Sequence, residues 1–209
     1  MTELHFFNPY AHIRFTANRL PHWQQAGGVY FVTFRLADAV PHRLHIQWES
    51  EREAWLRARP ERWDTESERE YHVRFSGAIE RWLGAGHGSC ILRRHDCAEI
   101  MAMRYFDGKR AVIISSVVMP NHVHALFVQN ADWPLEKGLR SWKSFSSRKI
   151  NSLLSRNGSL WQRDYFDRLV RDEKHFASCA RYIRTNPEKA HLHSEEYILY
   201  ETELARSVE

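Results

Sequence analysis

The sequence predicts an α+β fold, in which antiparallel strands form a sheet and helices cover one of its faces. Three runs rich in β-branched and aromatic residues are typical of strands, and they span 29–36, 112–118 and 122–128. Two longer segments, 134–154 and 172–187, carry apolar residues at helical spacing. Strands that precede helices in this way indicate one layered domain built around a sheet.

The first strand is marked by Gly27 and Gly28, which punctuate the chain just before Val29–Leu36. From 41 to 106 the composition changes to a mixture of tryptophan, arginine and glutamate, and this stretch reads as a helical insertion. Two amphipathic helices separated near Pro60 are predicted, followed by a further helix or connecting element. Acidic and basic residues nearly balance here, which favours a layer packed by tryptophans over a ligand-binding role.

The last third of the chain alternates helix, strand and helix. Pro134 begins a helix that runs through Leu154, and residues 165–170 can add a strand. Asp172 is a suitable N-cap for the final helix, and Pro187 is predicted to end it. The chain shows no internal repeat and no low-complexity segment.

Composition restricts the function classes. The 209 residues carry a net charge of +4 and three cysteines without metal-knuckle spacing, so a disulfide framework is not predicted. No run reaches the roughly 18 apolar residues of a membrane span, and a soluble, cytoplasmic protein is expected. From Lys137 to Lys189 there are 13 Lys and Arg against 5 Asp and Glu, interleaved with aromatic residues. Such a block suits a polyanion such as nucleic acid, although solvated helix faces explain it equally well.

The most informative motif is MPNHVHALFV, residues 119–128, which places His122 and His124 one residue apart at the start of a strand. Alternate side chains leave the same face of a strand, so both imidazoles would point together. Two convergent imidazoles can begin a metal site. The pair alone does not decide this, because strand histidines can also serve as buried hydrogen-bonding groups.

A second pair of polar residues lies on the final predicted helix. Tyr182 and Asn186 are one turn apart and face the same way, at the edge of the buried stripe, so they could reach a site carried by the sheet. Spacing alone would also allow a boundary tyrosine and a helix-ending asparagine. His175, on the same edge, is read as a solvent-facing histidine.

Together, the MPNHVH strand, the basic helix, WQRDYFDRLVRDE and RYIRTNPEKA resemble the single-tyrosine HUH transposases, closest to the REP-associated tyrosine transposases. The resemblance covers 27–36 and 112–192, and 41–106 looks like an insertion. It implies a ferredoxin-like or RRM-like sheet with the histidines on a central strand. It also implies that His122, His124 and Asn186 bind Mg²⁺ or Mn²⁺, and that Tyr182 is the nucleophile.

The activity implied by this resemblance is metal-dependent cleavage and rejoining of single-stranded or hairpin DNA through a 5′-phosphotyrosine bond. The alternative is a domesticated protein that binds hairpin DNA with little or no turnover. A zinc hydrolase would need further acidic or histidine ligands nearby, which the sequence lacks. The protein is expected to act as a monomer or homodimer, associated with the nucleoid when bound to DNA.

Tyr165 is the competing candidate for the nucleophile, because it lies in an aromatic and basic stretch, but no amide or carboxylate follows it at a helical offset. Five basic residues are predicted to contact DNA: Arg140, Lys143, Arg148, Arg163 and Arg168.

Overall fold

The computed structural model describes residues 4–12, 14–17, 21–59, 63–108 and 110–208. The strands of this part are β1 (Arg14–Ala17), β2 (Pro21–Gln24), β3 (Val29–Arg35), β4 (Ala111–Val118), β5 (His122–Gln129), β6 (Phe166–Leu169) and β7 (Ile198–Glu201). The α-helices are α1 (His42–Arg57), α2 (Thr65–Tyr71), α3 (Gly77–Gly84), α4 (His95–Met101), α5 (Leu135–Leu153), α6 (Glu173–Lys189) and α7 (Glu203–Arg206). Short π or 3-10 turns lie at His72–Ser76, Ile91–Arg93, Met103–Phe106 and Ser194–Glu196.

Five strands form one antiparallel sheet in the order β6-β3-β5-β4-β7, and β1 pairs with β2 in a separate hairpin. The predicted α+β class is confirmed. The strand β5, which begins at His122, is the middle strand of the five, as predicted for the strand that carries the histidines. The edge strand β7 was not predicted, because its four residues carry no alternation that distinguishes them from a loop.

Helices cover both faces of the sheet, which corrects the prediction that they lie on one face. Apolar residues of α6 pack with Phe31 and Leu126 on one side, and those of α5 pack with Tyr30 and Phe127 on the other. The reason lies in β5, where every residue is buried, so neither face can be left to water. No helix in the part of the chain that the structure describes combines the length with the apolar composition needed to cross a bilayer.

The stretch between β3 and β4 is helical, as predicted, and has a small aromatic core of its own. Trp55, Tyr71 and Phe75 are buried together, and the indole N–H of Trp48 donates to the carbonyl of Phe75 at 3.0 Å. Leu83 of α3 joins the main core beside the sheet. The tryptophans therefore pack this layer, as predicted; Pro60 lies outside the described residues.

The final helix begins as predicted and ends later than predicted. The Asp172 carboxylate accepts a hydrogen bond from the backbone N–H of His175 at 2.7 Å and caps α6. The helix then continues two residues past Pro187. Proline costs the helix one backbone donor, but the N–H of Ala190 still donates to the carbonyl of Asn186 at 3.1 Å. The last turn therefore closes around the proline instead of ending at it.

Candidate active site

The histidine pair, His122 and His124, projects from the centre of the sheet toward α6. Each histidine is 2% exposed, and the two Nε2 atoms stand 3.0 Å apart. The structure thus places both imidazoles together on one face, as the spacing predicts. Their Nε2 atoms converge, and their Nδ1 atoms are held by neighbouring side chains.

Asn121 orients His122. Its amide nitrogen donates to the backbone carbonyls of Leu83 and His87, both at 3.2 Å, so its oxygen faces Nδ1 of His122 at 2.7 Å. An amide oxygen only accepts hydrogen bonds, so Nδ1 of His122 must carry the proton. The Nε2 atom of His122 is therefore left with a lone pair. This role of Asn121 was not predicted from the sequence.

Thr33 orients His124. Its hydroxyl lies 2.7 Å from Nδ1 of His124, and the two residues are directly paired between β3 and β5. A partner at Nδ1 that holds the ring and sets its tautomer is typical of histidines that bind metal ions. Both imidazoles of the histidine pair have such a partner.

Both histidines are neutral in the folded protein. Burial, with a smaller contribution from the charge of Arg35, lowers the pKa of His122 to about 3. Burial, with a smaller contribution from His122, holds the pKa of His124 well below its ordinary value. Neutral imidazoles are the form that can donate a lone pair to a cation.

The helix α6 brings Tyr182 and Asn186 to the histidine pair. The ring of Tyr182 meets that of His124 edge-on, with 5.1 Å between centroids, and it meets Phe31 in the same manner at 5.7 Å. The amide nitrogen of Asn186 lies 3.4 Å from Nε2 of His124. A half-turn of this amide would present its oxygen to the same point without moving the helix.

The environment of Tyr182 keeps its phenol protonated. Burial raises the pKa of Tyr182 above its ordinary range, and the nearby charge of Glu80 acts in the same direction. A hydrogen bond with the Asn186 side chain and the positive charge of Arg168 oppose the shift. Activation of this phenol therefore requires more positive charge than these side chains supply.

The residues present fit a hard divalent cation with open coordination positions. The two Nε2 atoms stand 3.0 Å apart, close enough for both nitrogens to bind one such cation. Within the described residues no group of three or more His, Cys, Asp or Glu side chains could hold a metal ion. The donor set is therefore two imidazoles and an amide, without the thiolates that favour structural zinc.

Tyr165 occupies a different environment. Its ring packs against the core on the α5 side of the sheet, and burial raises its pKa. Tyr182, in contrast, lies on the α6 side, against His124. Of the two tyrosines, Tyr182 is the one whose ring contacts His124, whereas Tyr165 lines the cavity that His124 borders.

The structure separates the five basic residues predicted to contact DNA. Arg140 and Arg163 are exposed and line one groove of about 620 Å³, whereas Arg148 is exposed elsewhere on α5. Arg168 lies on β6 opposite Phe31, on the face of the histidine pair. Lys143 is half-buried and lines the same groove as Arg140 and Arg163. Its ammonium donates to the carbonyls of residues 162 and 163 at 2.6 and 2.9 Å, and it braces the loop before β6.

A cavity of about 60 Å³ lies between the sheet and the helices α1 and α3, and the histidine pair borders it through His124. Arg35 and Glu80 also line it, and sequence reasoning assigned neither to the site. The alternation of Thr33 and Arg35 along β3 would have indicated Arg35 if the pairing register between β3 and β5 had been known. No local pattern marks Glu80, because its position depends on how α3 packs.

Comparison with known proteins confirms the predicted resemblance over the second half of the chain. Residues 93–186 match the model of the IS200-like transposase family, and this segment contains the histidine pair, Tyr182 and Asn186. The solved structure of a REP-associated tyrosine transposase bound to a REP hairpin aligns with 83% of this chain and 74% of its own, at 16% identity and a TM-score of 0.43. No curated protein sequence matches the chain.

Proposed function

We propose that this protein, whose residues 93–186 match the IS200-like transposases, cleaves and rejoins single-stranded or hairpin DNA through a covalent bond to Tyr182. The observation that carries the proposal is the convergence of the two Nε2 atoms at 3.0 Å, with the ring of Tyr182 against His124. His122, His124 and Asn186 would hold Mg²⁺ or Mn²⁺. Such a cation, when bound, supplies positive charge that stabilises the charge developing on the scissile phosphate.

The proposed chemical step exchanges one phosphate ester for another. The phenol oxygen of Tyr182 bonds to phosphorus, and the bond from phosphorus to the 3′ oxygen breaks. The electron pair leaves with the 3′ oxygen, which takes up a proton in place of the one that the phenol loses. The product is a 5′-phosphotyrosine and a free 3′-OH. Attack by another 3′-OH reverses the exchange, so rejoining needs no nucleotide cofactor.

The chain's own residues prepare this step. Asn121 and Thr33 hold the two imidazoles in place, and α6 presses the Tyr182 ring against His124 and Phe31. The positive charge of Arg168 lowers the pKa of Tyr182, while burial and Glu80 raise it.

The covalent adduct tests the proposal. Wild type, Tyr182→Phe and Tyr165→Phe are each incubated with a labelled hairpin oligonucleotide and Mn²⁺, and label that stays with denatured protein is measured. Phenylalanine keeps the ring and its packing but removes the attacking oxygen. We expect the adduct to vanish in Tyr182→Phe and to persist in Tyr165→Phe. An adduct retained by Tyr182→Phe and lost by Tyr165→Phe would overturn the assignment.

A second candidate function is recognition of hairpin DNA with little or no turnover. It is favoured by the raised pKa of Tyr182, and by the lack of a carboxylate among the candidate ligands in the described residues. The same experiment separates the two functions. Tight binding of the oligonucleotide by the wild type, without adduct or cleaved strand at any Mn²⁺ concentration, would favour the binding protein.

A further inference from the structure

Arg35 lies beside the histidine pair. It ends β3 directly opposite His122, two residues after Thr33, which is paired with His124. Paired residues of neighbouring strands leave the sheet on the same face, so the Arg35 side chain projects on the side of the histidine pair. Its charge contributes to the lowered pKa of His122, which agrees with this proximity.

The guanidinium of Arg35 is half-buried, and within the described residues no acceptor contacts it. Partial burial lowers its pKa to about 10. It is therefore still protonated at neutral pH. Among the residues that the structure describes, its side chain makes no hydrogen bond and no ion pair, and Asp164 and Glu49 act on it only through their charge.

An arginine in this position is costly for the folded protein alone. A guanidinium has five N–H donors, and partly withdrawing them from water without protein acceptors is unfavourable, even where distant carboxylates offset part of the charge. An anion with two oxygens in one plane would satisfy the fork-shaped donor group. Phosphate oxygens have this geometry.

The cavity that Arg35 lines is placed to receive such a group. It is also lined by Thr33 and His124, and its volume of about 60 Å³ admits a small polar group but not a nucleoside. Asp164 and Tyr165 line both this cavity and the groove that contains Arg140 and Arg163. A DNA strand that followed the groove would therefore reach the cavity by passing around one short loop of the protein. Glu49, Glu80 and Asp164 also line the cavity, and burial raises the pKa of Glu80.

We infer that Arg35 binds one phosphodiester of the DNA strand directly beside the histidine pair. The inference rests on the proposed function and extends it to the substrate group that is recognised. Arg35 then acts as a binding residue that places one phosphate against the site, while the groove residues follow the strand on either side.

A coupling experiment tests this contact without requiring cleavage. The protein carries Tyr182→Phe, and the probes are copies of one hairpin oligonucleotide with a single-stranded extension, each with one phosphate replaced by a neutral methylphosphonate. In the protein that retains Arg35, we expect a methylphosphonate at one position of the oligonucleotide to weaken binding about 10-fold or more, because a charge-assisted bidentate contact is lost. In Arg35→Gln the unmodified probe should bind that much more weakly, and the same methylphosphonate should cause no further loss. Arg35→Lys should retain part of the coupling, because it keeps the charge and loses the fork.

Stability and metal affinity exclude a merely structural role. Removing a half-buried charge that no acceptor contacts should leave the Tm of Arg35→Gln unchanged or higher. Its Mn²⁺ affinity should be unchanged or higher, because a positive charge beside His122 is lost. Arg94→Gln, which removes an exposed arginine paired with Asp96, is the matched control and should keep the full coupling. A lowered Tm of Arg35→Gln, or equal methylphosphonate effects with and without Arg35, would overturn the inference. If the protein bearing Arg35 did not bind the oligonucleotide at all, the proposed function itself would fail.

Discussion

Replacing Thr33 by valine should weaken metal binding without removing any ligand. Valine has nearly the shape of threonine, but it lacks the hydroxyl that lies 2.7 Å from Nδ1 of His124. Losing a partner that holds the far nitrogen of a metal-binding histidine typically weakens metal affinity about 10- to 100-fold, so we expect a loss of about 1.4–2.7 kcal/mol in the binding free energy of Mn²⁺.

The reason is that the Thr33 hydroxyl can serve both tautomers of His124. In the metal-free protein the bare Nε2 of His122 accepts from Nε2–H of His124, so the hydroxyl must donate to Nδ1. When both Nε2 atoms face a cation, the proton of His124 must lie on Nδ1, and the hydroxyl must accept. A hydroxyl can rotate between these roles, whereas a methyl group can play neither.

Calorimetric titration of chelator-treated protein with Mn²⁺ measures the effect, and Thr33→Ser is the matched control because it restores the hydroxyl. Thr33→Val should also lose about 1–3 kcal/mol of unfolding free energy, since Nδ1 of a buried imidazole is left unsatisfied. Wild-type affinity in a folded Thr33→Val, or equal weakness of the serine and valine variants, would refute the reasoning.

Two further predictions concern the basic residues of the second half of the chain. Burial lowers the pKa of Lys143 to about 8, below the roughly 10.4 of an unfolded lysine, so the folded state releases this proton first. Relative to Lys143→Met, the wild type should therefore gain unfolding free energy as the pH rises from about 8 to about 10, by at most about 1.4 kcal/mol per pH unit. Urea denaturation at several pH values measures this difference. A difference that does not change with pH would show that the loop carbonyls keep the ammonium protonated. Arg140 and Arg163 should each contact a phosphate of the DNA. Replacing both by glutamine should therefore reduce the slope of log affinity for single-stranded DNA against log salt concentration by about 1.4. Fluorescence anisotropy measures the slope, and an unchanged slope would contradict this prediction.

Local patterns were sufficient to predict most strands of the five-stranded sheet. They also predicted which residues of the candidate site share one face of a strand or a helix. The run from Val29 and the run after Pro120 are strands because β-branched and aromatic residues fit a pleated surface. The spacing of His122 and His124 placed both on one face, and the spacing of Tyr182 and Asn186 placed both on one side of α6. These relations depend only on the geometry of one strand or one helix.

Packing decided the relations that local patterns do not contain. Pro187 was predicted to end its helix, but neighbouring backbone bonds carry α6 past it. Lys143 has the sequence context of a DNA-binding lysine, and the loop before β6 supplies carbonyls that its ammonium binds. These carbonyls belong to a segment whose approach no short window of sequence specifies, whereas the bonds around Pro187 lie within the last turns of its own helix.

By itself, the sequence determined the face from which each candidate ligand projects, because the periods of a strand and a helix are properties of the backbone. Only the tertiary structure decided that α6 covers the face of the histidine pair and that Asn121 and Thr33 hold its imidazoles. It alone placed Arg35 opposite His122. Strand register and helix docking are chosen by burial over the whole chain, since a sheet with two apolar faces must cover both of them.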